Sequence, residues 1–399
     1  MEYVFLLLTV TFGFSLAIGY LLEKYLKMPW MFSALFLGII FSLFDIFQLT
    51  LQDEIFGTLS NMGMLFLLFM IGFNLEIEQI KKYGKNILKG AIVIVGLEAF
   101  VVSLILFFIF PSQIDNSPLV ALVVALSFAT VGEAVLLPIL AKYDLLKTKF
   151  GQITLGIGTF DDVIEVLTLV IIPFLPLFLP SLNIQSFPDP TFVVIDLIGI
   201  FIITAVLAKI APKIRHHLSN TVEYSFIRPL LILILFFSFV VIGGFVFESL
   251  AAISVIFGGI VTRRLLPTEN FQNDEKIVNF LGYTFLSPLF FLSVGASLSF
   301  SMIFVYPIIL VVILIATFSA KLAGSFMLFH NLLGKSKSFV LGLGLNVRFS
   351  TGFIVQYVLL NSGLITLELY SALIASAVVM TPTILILLPW ALQKTKNKL

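Results

Sequence analysis

The sequence predicts an all-α polytopic membrane protein with no soluble domain, and three observations carry that prediction. Of 399 residues, 60% are hydrophobic and only 11% charged, and the mean hydropathy of +1.14 lies far outside soluble composition. Apolar runs close to the roughly 20 residues a helix needs to cross a bilayer recur along the whole chain. Those runs show no period-two alternation, which excludes a β-barrel. The absence of cysteine removes disulfides, thiol nucleophiles and thiolate metal sites, and a net charge of +1 leaves no footprint for nucleic acid.

Thirteen spans are expected, at residues 3–22, 29–44, 55–74, 86–110, 118–142, 150–179, 191–211, 228–246, 249–262, 277–296, 301–330, 337–360 and 367–392. Glu2 precedes the first, with no basic residue before it and no small-residue cleavage site, so that span reads as retained rather than as a signal peptide. Charge gives an independent check on the count. With thirteen crossings, the loops holding Lys24 and Lys27, Lys81 to Lys89, Lys142 to Lys149, Lys209 to Arg228, Arg263 to Lys276, and Lys335 with Lys337 share one side with Lys394, Lys396 and Lys398. The opposite loops contain no Lys or Arg. Basic residues mark the cytoplasm, which puts the amino terminus outside and the carboxyl terminus inside, with a bacterial inner membrane as the expected location. All but two of the 23 Lys and Arg residues fall at cytoplasmic ends; the two are Lys321 and Arg348.

An odd count also suggests two six-helix halves in inverted orientation joined by the seventh span as a linker, a plan that places a binding site where the repeats meet. The fifth and twelfth spans are equivalent under that symmetry. Both are interrupted, by Ala129-Thr130-Val131-Gly132-Glu133 and by Asn346-Val347-Arg348-Phe349-Ser350-Thr351-Gly352. Crossed, broken helices in the core are therefore expected.

The sixth span holds Asp161 and Asp162 side by side, where a charge costs about 2.5 to 3.5 kcal/mol to insert. Helical neighbours lie about 100° apart, so the two acids cannot face one partner. Asp161 is expected to pair with Lys321, leaving Asp162 on a water-filled cavity where protons and a small cation compete. The alternative for Lys321 is snorkelling to the interface. Half-helix ends are positive at their amino and negative at their carboxyl termini; Glu133 is expected to offset the first and Arg348 the second. Arg348 also reads as a structural counter-ion, with Glu98 and Glu165 as candidate partners. Thr130 offers oxygens to a hard cation, or caps a half-helix. His216, His217 and His330 read as solvated residues, Asp196 as interfacial, and Trp30 and Trp390 as interfacial anchors.

The chain resembles the monovalent cation/proton antiporters of the bacterial sodium/proton exchanger superfamily, of the double-Asp electrogenic type. The resemblance runs from the second span to the thirteenth. It rests on Tyr25-Leu26-Lys27-Met28-Pro29, on 63–72 in the third span, on Ala129-Thr130 with Leu137-Pro138-Ile139-Leu140, and on the Asp161-Asp162 pair. Pro288-Leu289-Phe290-Phe291 with Val294-Gly295, Lys321 with Gly324, and Asn346-Val347-Arg348 complete it. It implies a homodimer with scaffold spans at 1–80 and 223–299, a moving core at 81–180 and 300–399, and a linker at 181–222. It also implies that Asp162 binds the cation, that Asp161 pairs with Lys321, and that no resident cofactor is needed. The partners implied are protons, a sodium or potassium ion and the lipid bilayer. Two departures stand out: Phe349-Ser350 replaces the commoner Gly-Glu after Arg348, and Val131-Gly132-Glu133 follows Thr130.

A potassium/proton antiporter or potassium efflux system is the nearer alternative, although many such relatives carry a nucleotide-binding domain that is not expected here. A sodium-coupled organic-anion symporter is opposed by the buried Asp-Asp-Lys set. An intramembrane aspartyl protease would place its acids on different helices astride the scissile bond. Adjacent acids on one span, and Gly342-Leu343-Gly344 followed by Leu345 rather than Asp, argue against it.

Overall fold

Helix falls on every apolar stretch described above. The structure, a computed structural model, describes residues 2–26, 28–74, 84–178, 190–219, 227–244, 248–266, 271–299, 307–348 and 352–395, and among these there is no strand. The α-helices of nine residues or more are α1 (Glu2–Leu21), α2 (Phe32–Phe44), α3 (Glu54–Asn74), α4 (Lys85–Ile109), α5 (Pro118–Phe128), α6 (Glu133–Lys142), α7 (Lys149–Ile171) and α8 (Pro190–Ser219). They continue with α9 (Ile227–Gly244), α10 (Glu248–Leu265), α11 (Phe271–Asn279), α12 (Ser287–Ala296), α13 (Pro307–Leu333), α14 (Lys335–Gly344), α15 (Gly352–Asn361) and α16 (Leu367–Thr395). A π-helical turn, Phe280–Leu286, joins α11 to α12. Among the described residues, eight helices are long and apolar enough to cross a membrane.

The tenth expected span begins earlier than hydropathy indicates, at Phe271 rather than 277. The polar run Gln272-Asn273-Asp274-Glu275 hides it from an apolar reading. Asp274 is nevertheless buried, 3.4 Å from the Arg228 guanidinium at the start of α9, so its polarity is answered inside the protein.

The chain forms two compact units. One comprises residues 1–16, 33–76 and 176–296; the other comprises 17–32, 77–175 and 297–399. In the first, small residues let backbones touch. A Cβ on Gly72 of α3 would lie 1.8 Å from the Ile256 carbonyl oxygen, and one on Gly259 of α10 would lie 2.0 Å from that of Phe69, so α3 and α10 approach through glycine from both sides. Apolar packing alone gives no preference for helix over lipid, so such close contacts are how membrane helices hold together.

In the second unit α4 packs on α5, α7 and α13, and α13 on α14 and α16. Its helix ends follow ordinary rules. Ser117 caps α5 by accepting from the Val120 amide at 3.2 Å, ahead of Pro118 at the first helical position, and Thr148 caps α7 through the Gly151 amide at 3.1 Å. The inward stripe of α7 runs through Thr154, Ile157, Asp161, Glu165 and Thr168, a helical spacing that carries two acids into the interior.

The fifth and twelfth spans are broken as expected. The halves α5, α6, α14 and α15 are ten or eleven residues long. At 1.5 Å per residue each covers about 15 Å, half the hydrocarbon thickness. Halves of this length are what a break at the middle of a crossing would leave.

Candidate functional site

Three unbroken helices of the second unit each place a fully buried ionisable residue near the centre of their length: Glu98 on the 25-residue α4, Asp161 on the 23-residue α7 and Lys321 on the 27-residue α13. Arg348 in the second break is buried as well. Charges at such depth persist only when paired and hydrogen-bonded.

The two breaks meet. The Gly132 amide donates to the Val347 carbonyl at 2.8 Å, linking the backbone of one interruption to that of the other. Gly352, the first residue of α15, lies so close to the end of α5 that a Cβ there would stand 2.7 Å from the Ser127 carbonyl oxygen and 2.9 Å from Thr130 Cγ2. Gln356 Nε2 adds a long contact, 3.4 Å, to the same Ser127 carbonyl.

Lys321 joins the breaks from a third helix. Its ammonium donates to the Thr130 carbonyl at 2.5 Å and the Leu345 carbonyl at 2.7 Å, and Glu98 Oε2 lies 3.4 Å away. Thr130 directly follows the C-cap of α5, and Leu345 is the C-cap of α14. These are the negative ends of two half-helices, so a positive charge is held where two partial negative charges converge. Two of the ammonium's three N–H donors are taken by these carbonyls, and Glu98 completes its surroundings as an ion-pair partner.

That inventory corrects the expected ion pair. Lys321 bridges to Glu98, not to Asp161. Asp161 Oδ2 instead accepts from the Val131 amide at 2.5 Å, just ahead of α6, so this carboxylate offsets the positive amino end of the second half-helix. Its other oxygen, Oδ1, makes no hydrogen bond among the described residues. Asp161 still lies within electrostatic reach of Lys321, Glu98 and Arg348. The Glu133 side chain, expected at the same amino end, lies outside the described residues, as do Phe349, Ser350 and Thr351.

Arg348 likewise differs from its expected place at a helix carboxyl end, which Lys321 holds. Its Nη2 donates to Glu98 Oε1, resolving the choice between Glu98 and Glu165, and its guanidinium stands 4.0 Å from the centroid of the Phe128 ring. The backbone beside it is clamped by α16: Thr381 Oγ1 donates to the Arg348 carbonyl at 2.6 Å and accepts from its amide at 3.2 Å. Glu98 is therefore shared by both membrane-embedded bases. The sequence names it only as a candidate partner, although an acid centred in a 25-residue apolar helix is itself the signal.

Asp162, beside Asp161, is half-buried. Thr130 is buried, and its carbonyl is taken by Lys321. Among the described residues no three Asp, Glu or His side chains gather as a polycarboxylate metal centre would require. What the arrangement offers is a buried charge network at two broken helices, with one acid fixed on a backbone amide and its neighbour more open.

Comparison with known proteins places the chain in a family. The chain matches the family described as sodium/hydrogen exchanger, transmembrane, over residues 13–394. It is 22% identical over 345 residues to the Na(+)/H(+)-K(+) antiporter GerN of Bacillus cereus, covering 83% of this chain and 81% of that one. It is 26% identical over 334 residues to a Na(+)/H(+) antiporter of Enterococcus hirae, covering 79% of each. The fold is similar to that of the sodium proton antiporter MjNhaP1 from Methanocaldococcus jannaschii at pH 8, with a TM-score of 0.65 and 19% identity over 97% of both chains. The family match spans nearly the whole sequence and takes in both breaks and every charged residue between them, so this chain belongs to the transmembrane sodium/hydrogen exchanger family.

Proposed function

We propose that this chain is an electrogenic secondary antiporter that exchanges protons for sodium, and that Asp162 is the carboxylate for which the two ions compete. The observation that supports this most is the unequal treatment of two neighbouring acids. Asp161 is fully buried and tied to the Val131 amide, while Asp162 on the next residue is half-buried. Partial exposure at this depth is read as access to water, because an ionised acid facing lipid would be neutralised. Asp161 Oδ1 adds an oxygen within the same stretch, and hard cations prefer oxygen.

Charge balance supports the same reading. Glu98, Glu133, Asp161, Asp162 and Glu165 outnumber Lys321 and Arg348 by three in the mid-span segments. Protons or a monovalent cation can supply the missing positive charge, and either displaces the other. In this scheme the cation binds from one side and releases protons, the unit carrying the site shifts, and protons reverse the step from the other side. Thirteen crossings, inverted repeats about a linker, a homodimer, a plasma-membrane location and an external amino terminus belong to the same proposal, supported by the family and by the paired breaks. Potassium is the second reading, favoured by the name of the Bacillus cereus relative, a Na(+)/H(+)-K(+) antiporter.

The test is proton flux in proteoliposomes with an internal pH dye, driven by sodium or potassium, with and without a membrane potential. Sodium should drive proton movement that responds to potential, and Asp162→Asn should abolish it. Full flux in Asp162→Asn would refute the assignment, and flux driven equally by potassium would move the proposal to the second reading.

A further inference from the structure

We infer that the cleft between the start of α4 and the end of α13 binds one anionic phospholipid, its headgroup phosphate against Lys89 and Asn331 and its acyl chains along the exposed apolar side of the two helices. The helices run antiparallel: a Cβ on Gly90 would lie 2.8 Å from Phe329 Cζ, and one on Gly324 would lie 3.5 Å from Ile94 Cα. At their ends they leave a cleft of about 280 Å³, lined by Lys89, Gly90, Leu328, Phe329, Asn331 and Leu332. That is just under the roughly 300–1,000 Å³ of a small-molecule pocket, room for a headgroup but not for a whole lipid.

Each helix carries an exposed stripe that is polar at its end and apolar further in. On α4, Lys85, Leu88, Lys89 and Ile92 recur at helical spacing and all are exposed. On α13, Asn331 and Met327 lie one turn apart and are exposed, with Phe326 beside them. A phospholipid has the same order, a charged head followed by apolar chains, and this continuity favours a lipid over a soluble anion. The local charge is of one sign: residues 84–97 and 322–344 hold Lys85, Lys89, Lys335, Lys337 and His330, with no Asp or Glu. Lys85 and Lys89 also stand where helix physics disfavours them. Like charges four residues apart repel, both sit near the positive amino end of α4, and Gly84 gives that end no side-chain cap. A phosphodiester offsets these charges, and basic clefts between helices at a membrane surface suit such headgroups. The inference stands apart from the exchange activity proposed for Asp162.

In the experiment, the full chain purified in detergent is titrated with phosphatidylglycerol, and the lipid-bound fraction is read by native mass spectrometry. Phosphatidylglycerol should bind saturably, and phosphatidylcholine at least about tenfold more weakly. Lys85→Gln with Lys89→Gln should weaken phosphatidylglycerol binding about tenfold or more. Lys142→Gln with Lys149→Gln, two exposed lysines elsewhere on the basic side, should leave it within about twofold. Asn331→Trp, which fills the cleft and keeps every lysine, should weaken binding as much as loss of the two α4 lysines. Equal binding of the two lipids, equal loss in the two double variants, or full binding in Asn331→Trp would overturn the site. Inorganic phosphate at concentrations matching the lipid should not compete; displacement by it would mark a site for a free anion and overturn the lipid assignment. Because binding is the readout, failure here leaves the Asp162 flux result untouched.

Discussion

Glu98 is the residue on which the buried charges depend. One carboxylate faces the Lys321 ammonium through Oε2 and the Arg348 guanidinium through Oε1, all three side chains being buried. Removing one partner of a buried pair leaves an uncompensated charge, at a cost of about 3–5 kcal/mol. Glu98→Gln strands two bases at once, so its loss of unfolding free energy is expected at or above the upper end of that range. Glu98→Asp, which keeps the charge on a shorter stem, should lose less. Denaturation of the purified variants measures both. A loss under about 1 kcal/mol for Glu98→Gln, the range of an exposed pair, would show that the three charges are not coupled. At this scale the sequence identifies which residues are out of place more readily than it identifies their partners. Lys321, Arg348, Asp161 and Glu98 are all conspicuous as charges within apolar runs. The partner of each depends on which helix face turns inward and on backbone carbonyls that every residue has. Lys321 is held chiefly by two such carbonyls, which is why pairing by side-chain charge alone leads to Asp161.

The breaks in the fifth and twelfth spans are legible because polar residues and glycine interrupt otherwise apolar runs, and the structure ends α5 at Phe128 and α14 at Gly344, just ahead of those interruptions. Their contact is less legible, since it runs through the Gly132 amide, the Val347 carbonyl and a glycine that brings α15 onto α5. Gly352 is the sharpest test of that contact. A methyl group there would press on the Ser127 carbonyl oxygen at 2.7 Å and on Thr130 at 2.9 Å, moving the residue whose carbonyl accepts from Lys321. Overpacking of this kind costs about 1–3 kcal/mol. Gly352→Ala is therefore expected to lower stability by that amount and to reduce sodium-driven flux at least tenfold. Gly96→Ala on α4 is the control: a Cβ there meets nothing within 4 Å, and alanine favours helix by up to about 1 kcal/mol. It should be neutral or stabilising with flux intact. Equal flux in the two variants would mean that the α5–α15 approach plays no part in transport.

Over the whole molecule, the sequence predicts element positions well because hydropathy and length both act along the chain. The start of α11 escapes it because Asp274 is answered by Arg228, 46 residues away. Grouping into compact units is harder to read, since α1 contributes to both and α8 lies in the same unit as α3 and α10. Sidedness rests on charge sorting: loops with Lys and Arg alternate with loops that have none, and one helix more or fewer would scramble the pattern. The chain has no cysteine, so single cysteines can report sidedness without background. Gln52, between α2 and α3, and Asn361, at the end of α15, are exposed and belong to the side without basic residues; Ser336, at the start of α14, is exposed and belongs to the basic side. In sealed right-side-out vesicles a membrane-impermeant maleimide should label Gln52→Cys and Asn361→Cys at once, and Ser336→Cys only after permeabilisation. Labelling of Asn361→Cys and Ser336→Cys from the same side would mean that α14 and α15 do not together complete a crossing. In that case the second break would not lie at mid-membrane, and the depth assigned to Lys321 and Arg348 would fall with it.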